Sequence, residues 1–417
     1  MSTIIETKIK QKNIIRRLWK QFRLWALRKF YIESYANKII EDNYHPSKDF
    51  VNLSKHNHIF NESNPKLIAF YLPQFYTFKE NDEWHGRGFT EWTNVTSAIP
   101  QFTGHYQPKL PIDVGFYDLS NINIMKRQAE IAKQYGVHGW CFHYYWFSGK
   151  RLMEDPVFNL LENPEIDMPF CFNWANESWS KLWNGSNKEL LIEQNLQDDD
   201  DEKFMNDILP FIKDRRYIKI NNRPMLMIYR PSVFGKERTL KLIANLRRIA
   251  KENGFEDLYM ICVMHQLFKE ENPIEWGFDA GVEFPPHEFM HLPHIKNKKY
   301  VNKYFEGKIS DMSNFIKRRQ YMYKYDYKMF KTVFPSWDNS ARKAYNGASV
   351  FINETPELYK KWLNDCICWT KTNLDKEEQF VFINAWNEWA EGAYLEPDRK
   401  YGYAYLQATK EALESSH

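Results

Sequence analysis

From Lys66 onward, short runs of apolar, β-branched and aromatic residues alternate with stretches whose apolar positions recur at a helical period. The runs predict strands at Leu67–Leu72, Val137–His143, Pro169–Asn173, Pro224–Tyr229, Leu258–Val263, Ala280–Phe284, Thr332–Pro335 and Phe380–Ala385. Helices are predicted near Asn121–Tyr135, Glu154–Leu161, Asp201–Arg215, Glu237–Asn253, a short piece around Glu271, Asp311–Tyr325, Pro356–Thr372 and Tyr403–Ser415. Eight strand–helix units in strict alternation are the pattern of an α/β chain folded as a (β/α)8 TIM barrel. Several strands are apolar throughout, as expected where both faces are covered. A doubly wound open sheet competes with this reading, but no Gly-rich phosphate loop follows the first strand. Long connections follow the first strand (Pro73–Ser120) and the sixth (Pro285–Ser310), on the face where barrel active sites form.

The pattern changes before Lys66. Residues 8–31 predict a basic amphipathic helix, with Ile14, Ile15, Leu18, Phe22, Trp25, Leu27 and Phe30 as its apolar stripe. Arg16, Arg17, Lys20, Arg23, Arg28 and Lys29 fill much of the remainder. Such a helix either lies on an anionic membrane surface or packs on the barrel with a solvated basic face. A polar connector is expected from about Glu33 to Asn64. The chain thus divides into residues 1–64, helix and connector, and residues 65–417, the barrel.

Composition adds three constraints. Of 417 residues, 17% are aromatic, which suits rings that stack on sugar faces as well as a packed core. Net charge is +3, and residues up to Ile32 alone carry +8, so the body is mildly acidic and no nucleic-acid partner is expected. Five Cys argue against a disulfide framework, and no zinc-ligand spacing is present. Cys141, Cys171 and Cys262 read as buried thiols. Neither a membrane-spanning run nor a signal-peptide core is found, so a cytoplasmic location is expected, with peripheral contact at the inner face of the plasma membrane through residues 8–31. The acids Asp198–Asp201 read as a solvated helix start rather than a cation site.

The candidate chemistry gathers at predicted strand ends. Tyr71 and Gln74 lie at the end of strand one, with Trp92 further along its loop; His143, Tyr144 and Trp146 end strand two. Asn173, Trp174, Asn176 and Glu177 end strand three, Tyr229 strand four, His265 strand five and Glu283 strand six, with His287 beyond. Trp337 and Asp338 end strand seven, with Arg342 close by, and Asn387, Glu388, Trp389 and Glu391 end strand eight. Rings to stack on, and amides and carboxylates to bond hydroxyls, are what a sugar pocket needs. Glycosidic chemistry commonly uses two carboxyl groups in different protonation states. Glu388 and Glu391, three apart, project to one side if the chain turns helically there. Trp386 and Trp389 would lower the local dielectric and raise one pKa. Glu177 and Glu283 are rival carboxylates; His143 and His287 are rival acid–base groups.

The stretch Asn387-Glu388-Trp389-Ala390-Glu391-Gly392, with Tyr394-Leu395-Glu396-Pro397, resembles the motif of the WbsX-type glycosyltransferase family. That family is similar to glycoside hydrolase family 99, the endo-α-mannosidases. Ala69–Phe75, Gly88–Val95, Gly139–Trp146, Asn173–Glu177 and Trp337–Asn339 fit the same resemblance, which covers roughly Lys66 to Ala412. It implies that Glu391 is the acid/base at the glycosidic oxygen. It implies that Glu388 deprotonates the sugar 2-hydroxyl, which attacks its own anomeric carbon through a 1,2-anhydro species. The hydrolases carry His where this chain has Ala390.

The expected function is a glycosyltransferase of cell-surface polysaccharide synthesis, O-antigen or capsule, taking a glycan or sugar donor and a lipid-linked acceptor. No cofactor or metal is expected. The alternatives are an endo-acting retaining hydrolase and a non-catalytic carbohydrate-binding barrel. Nothing resembles the Asp-x-Asp metal site of common nucleotide-sugar transferases, which weighs against the first; the two glutamates weigh against the last.

Overall fold

A computed structural model describes residues 15–180, 190–264, 268, 271–289, 291–343 and 347–415. Residues 8–14 of the predicted helix and His265 lie outside these.

Eight parallel strands close on themselves: β1 (Lys66–Tyr71), β2 (Val137–Phe147), β3 (Phe170–Trp174), β4 (Arg223–Ile228), β5 (Tyr259–Met264), β6 (Ala280–Glu283), β7 (Met329–Val333) and β8 (Phe380–Ile383). β1 pairs with both β2 and β8, which closes the barrel. Helices at Ile122–Gln134, Asp155–Glu162, Asp200–Ile212, Lys236–Glu252, Met312–Lys317, Pro356–Asn373 and Ala404–Glu414 surround it. The competing open sheet is thereby excluded. Closure leaves the barrel itself without an open edge, and both faces of its strands are buried, as the apolar runs require.

Three expectations are corrected. The helix predicted over Asp311–Tyr325 stops at Lys317, because Arg319 adopts a left-handed φ of 52°. The connector is helical as far as Tyr44, continuous with the helix before it, which ends in a π-turn at Leu27–Ile32. Asp200 and Asp201 are buried rather than solvated: Asp200 accepts the Gln197 N–H, and Asp201 pairs with Arg238. Cys141, Cys171, Cys262 and Cys366 are buried free thiols, and Cys368 is exposed.

The apolar stripe of residues 15–32 does not pack on the barrel. Trp19, Phe22, Trp25 and Phe30 are each at least half exposed. Among the described residues, no helix is long and apolar enough to cross a membrane. Beyond Tyr44 the chain is fastened along the barrel from one end to the other. Ser47 and Val51 donate to the carbonyls of Lys400 and Tyr401, at the C-terminal ends of the strands. His58 donates to the Gln134 carbonyl at the opposite end.

Strand alternation decides which aromatic rings meet the barrel axis. Phe70, His143, Tyr229 and Phe284 face inward, with ring centroids 5.0–6.4 Å apart. Tyr144, Trp146 and Trp174 face outward. Trp174 stacks on Phe204 of helix Asp200–Ile212 at 4.0 Å, and Trp146 packs on the same ring. Tyr144 stacks on Phe172 and bonds Asp207. These three therefore join strands to helices, not protein to sugar. Trp174→Ala should cost about 3–5 kcal/mol of stability, read as a lowered denaturant midpoint; a change under about 1 kcal/mol would contradict its place in the helix layer.

Candidate functional site

The connection after β8 turns at once into a short antiparallel pair, Asn387–Glu388 with Ala393–Tyr394, joined by a tight turn over Trp389–Glu391. Gly392 ends that turn with φ 63°, and a Cβ there would come within 2.9 Å of the Asp338 backbone nitrogen. The turn is tied down from several sides. Asp338 N–H donates to the Glu391 carbonyl at 2.7 Å, and Ser336 Oγ and Lys109 Nζ donate to the Gly392 carbonyl.

Asn387 bonds with its side-chain amide to both backbone groups of Leu72, at 2.8 and 2.9 Å. It splices the end of β8 to the end of β1, doing with a side chain what a strand does with its backbone. Asn176 does the same beyond β3, bonding the N–H and C=O of Arg230 at 2.7 and 2.8 Å. Both amides were expected to bind substrate; here both are consumed by the frame.

A cavity of about 450 Å³ opens at this face. Of the residues expected at the site, Gln74, His143, Glu177, Tyr229, Trp337, Glu388 and Glu391 line it. At its floor, one guanidinium holds three carboxylates. Arg342 Nε bonds Glu91 at 2.6 Å, Nη1 bonds Glu391 at 2.7 Å, and Nη2 bonds Glu388 at 3.1 Å. The Arg342 side chain is only 7% exposed. Burial opposes its charge, but the three carboxylates outweigh burial and keep it protonated. Burial pushes Glu388 up to about 8; Arg342 counters this, while Glu391 and Glu91 add to it. Below that pH Glu388 carries a proton, and the cluster of three acids and one base is less negative for it.

His143 meets the Asn173 amide at 3.2 Å and is pushed down to about 4, mainly by burial and also by the Arg342 charge, so it is neutral at pH 7. His287 is pushed to about 4 by burial, with Lys343 and Arg230 adding to it. Glu177 is paired with Arg230.

The other expected residues lie outside the cavity, each for a visible reason. Glu283 points away from the axis and pairs with fully buried Lys331 at 2.6 Å. Asp338 faces His105 and Gln107, both at 2.7 Å; burial pushes its carboxyl up, but the His105 ring and Lys109 hold it below the usual carboxylate range. Trp92 donates its indole N–H to the Tyr117 carbonyl and packs on Trp389. Trp389 stacks on Tyr394 and donates to Glu396 at 2.6 Å. Tyr71 reaches the same carboxylate through Gln128, in bonds of 2.7 and 2.6 Å.

Glu91, Tyr145, Asn384 and Arg342 line the cavity without having been singled out as site residues. Glu91 lies inside one of the quoted motif stretches, at the start of helix Glu91–Ser97 under a Thr90 capping box. Arg342 comes four residues after Asp338, on a turn opened by the Asp338 carboxylate bonding the Ser340 N–H at 3.0 Å. Among the described residues, no group of three or more His, Cys, Asp or Glu side chains is arranged to hold a metal ion.

The family described as "Glycosyltransferase WbsX" matches residues 67–409. Two curated relatives, both named "Uncharacterized protein WxcX" and from strains of Xanthomonas campestris pv. campestris, are 40% identical over 83% of this chain. That match spans 49% of the relatives, so the chain covers about half their length. Among solved structures, a "Glycoside hydrolase-like protein" aligns at TM-score 0.53 and 14% identity, covering 88% of this chain and 98% of its own. The glycoside hydrolase family 99 endo-α-mannosidase from Bacteroides thetaiotaomicron aligns at TM-score 0.51 and 14% identity, covering 86% and 98%. The fold is that of these barrels.

Glu396 anchors the wall behind the Trp389–Glu391 turn, and burial pushes it up to about 7. Trp389, Gln128 and Tyr117 donate to it and oppose the shift. Between its ordinary value and about 7, the folded chain holds a proton that the unfolded chain releases, so this carboxyl's contribution to stability falls as pH rises through that window. Gln does not titrate. The Tm of Glu396→Gln minus that of the parent should therefore rise between pH 4.5 and pH 8; a flat difference would contradict the buried, proton-holding state.

Proposed function

This chain belongs to the WbsX glycosyltransferase family, and from that premise we propose that it forms glycosidic bonds in the assembly of a cell-surface polysaccharide of the O-antigen or capsule kind. Membership of that family, with a fold shared with a glycoside hydrolase, supports a carbohydrate-active enzyme. In our reading the donor is a sugar or glycan and the acceptor is lipid-linked, met at the inner face of the plasma membrane. The observation that carries the reading is the Glu388–Arg342–Glu391 cluster at the end of β8, in a cavity rimmed by Tyr145, Tyr229 and Trp337.

Glu388 takes the proton of the donor 2-hydroxyl, whose oxygen attacks the anomeric carbon. The bond to the leaving group breaks as Glu391 gives that oxygen a proton. The acceptor hydroxyl then opens the three-membered ring, passing its proton to Glu391, while Glu388 returns a proton to the 2-oxygen. Every proton is held by a side chain of this protein, and the two carboxylates are poised by one cation. The acceptor takes the place of water, and Ala390 supplies no acid–base group where the resembled hydrolases carry His. A second reading, an endo-acting retaining hydrolase, is favoured by the likeness to an endo-α-mannosidase fold.

Purified protein incubated with labelled sugar donors and lipid-linked acceptors, beside an α-mannan hydrolysis assay, separates the two. Transfer without hydrolysis is expected; hydrolysis without transfer would reject the first reading. Glu388→Gln and Glu391→Gln should each lower turnover by roughly 10²–10⁴-fold, the usual size of a general acid or base contribution, with an unchanged circular dichroism spectrum. Near-normal turnover in either variant would sink the assignment.

The role of Glu388 has its own test. As the base it must be ionised, so kcat/KM should rise with pH through about 8. Glu91→Gln removes a charge that holds the proton on Glu388 and should move that limb to lower pH. Activity that falls as pH rises through 8 would make Glu388 the acid instead.

A further inference from the structure

Two basic, partly apolar surfaces outside the cavity converge on one side of the molecule. The first is the helix of residues 15–32. Its rings form a continuous ridge, with centroids of Trp19 and Phe22 at 6.2 Å, Phe22 and Trp25 at 5.7 Å, and Trp25 and Phe30 at 6.0 Å. The last contact depends on the π-turn at Leu27–Ile32. Residues five apart in an α-helix point about 140° away from one another, whereas in a π-turn five residues complete roughly one turn. Arg16, Arg17, Lys20, Arg23 and Lys29 are exposed along the same helix, and no acid occurs between residues 15 and 32.

The second surface is the loop after β6. From Phe289 to Phe305 it holds no acid, and Lys296, Lys299 and Lys303 are exposed beside Val301 and Tyr304, the latter 65% exposed. This loop is strapped to the loop after β1: Thr103 N–H donates to the Lys299 carbonyl, and Val301 N–H to the Gln101 carbonyl. Both loops leave the C-terminal ends of strands, the face that carries the cavity.

Topology fixes the foot of the helix on that face as well. Ser47, three residues past the end of the helical segment, bonds the Lys400 carbonyl in the connection that also contains Glu388 and Glu391. Lys298 and Lys400 line one small surface cavity together, so the foot of the helix and the basic loop are neighbours.

We propose that the catalytic face is also the membrane-facing face: the helix of residues 15–32 lies in the surface of an anionic bilayer, and the Lys296–Lys303 loop is a second contact that turns the cavity mouth toward the lipid. Charge decides the occupant. A second copy of the helix would bring like charges together, whereas anionic headgroups neutralise them while the aromatic ridge enters the headgroup region. A cavity facing the bilayer receives a lipid-linked acceptor without lifting it far from the membrane. The proposal stands on the helix and the topology, so it survives or fails independently of the reaction.

The test uses the full chain and vesicles of phosphatidylcholine with or without phosphatidylglycerol. Co-sedimentation is expected only with the anionic vesicles. Replacing Trp19, Phe22, Trp25 and Phe30 by Ser should reduce binding at least tenfold. Lys296→Glu, Lys299→Glu and Lys303→Glu together should reduce it at least tenfold, since each reversal turns attraction to the anionic headgroups into repulsion. Unchanged binding in the ring variant overturns the helix contact, and unchanged binding in the loop variant overturns the orientation. So does a ring variant that alters sedimentation mass in solution but not vesicle binding, which would make the ridge a self-association surface.

Orientation is read directly from a fluorophore placed by Lys303→Cys, or by Lys376→Cys at the opposite end of the barrel, in a Cys368→Ser background. A headgroup nitroxide lipid should quench the first and spare the second. The reverse pattern, or equal quenching, overturns the proposal. Unaltered Tm in each variant shows that the fold is intact.

Discussion

A buried guanidinium needs counter-charges, and buried carboxylates need a cation; around Arg342 each requirement meets the other. Three carboxylates from two distant stretches of the chain, Glu91 in the loop after β1 and Glu388 and Glu391 after β8, converge on its three nitrogens. Breaking such a set by removing the cation leaves charges stranded in low dielectric. The rest of the C-terminal face is arranged to prevent that. Asp338 opens the turn that carries Arg342 and, through its own backbone N–H, holds the Glu391 carbonyl. The residue expected to touch substrate instead sets the distance between the cation and one of its anions.

The same economy applies to the amides. Asn387 and Asn176 continue the ladder where backbone pairing has stopped, one from β8 to β1 and one from β3 toward the chain after β4. Behind them run the bonds from Tyr71 through Gln128 to Glu396 and Trp389. Polar residues crowd the strand ends partly because the frame itself needs hydrogen bonds there.

The strands were legible because strands covered on both faces must be apolar from end to end, as Leu67–Leu72 and Leu258–Val263 are; eight of them in strict alternation with helices, with no Gly-rich loop after the first, favoured a barrel over an open sheet. Glu388 and Glu391 were legible because they sit together in one turn. What the sequence could not reveal was direction and partnership. Trp146 and Trp174 stand at a strand end beside cavity residues, yet one step along a strand reverses the face, and they look toward a helix. Glu283 and Asp338 carry charges that their sequence neighbours do not explain; the partners, Lys331 and His105, are 48 and 233 residues away. Arg342 was visible as a neighbour of strand seven, but its three partners come from elsewhere in the chain.

The π-turn at Leu27–Ile32 has a consequence for evolution. Such a turn is the trace of one extra residue accommodated within an α-helix. Losing that residue would leave helix on either side but swing everything after it by about 100° around the axis. The barrel is fastened downstream, so a single-codon deletion would re-aim the exposed aromatic ridge relative to the barrel without touching one residue of the Trp389–Glu391 turn.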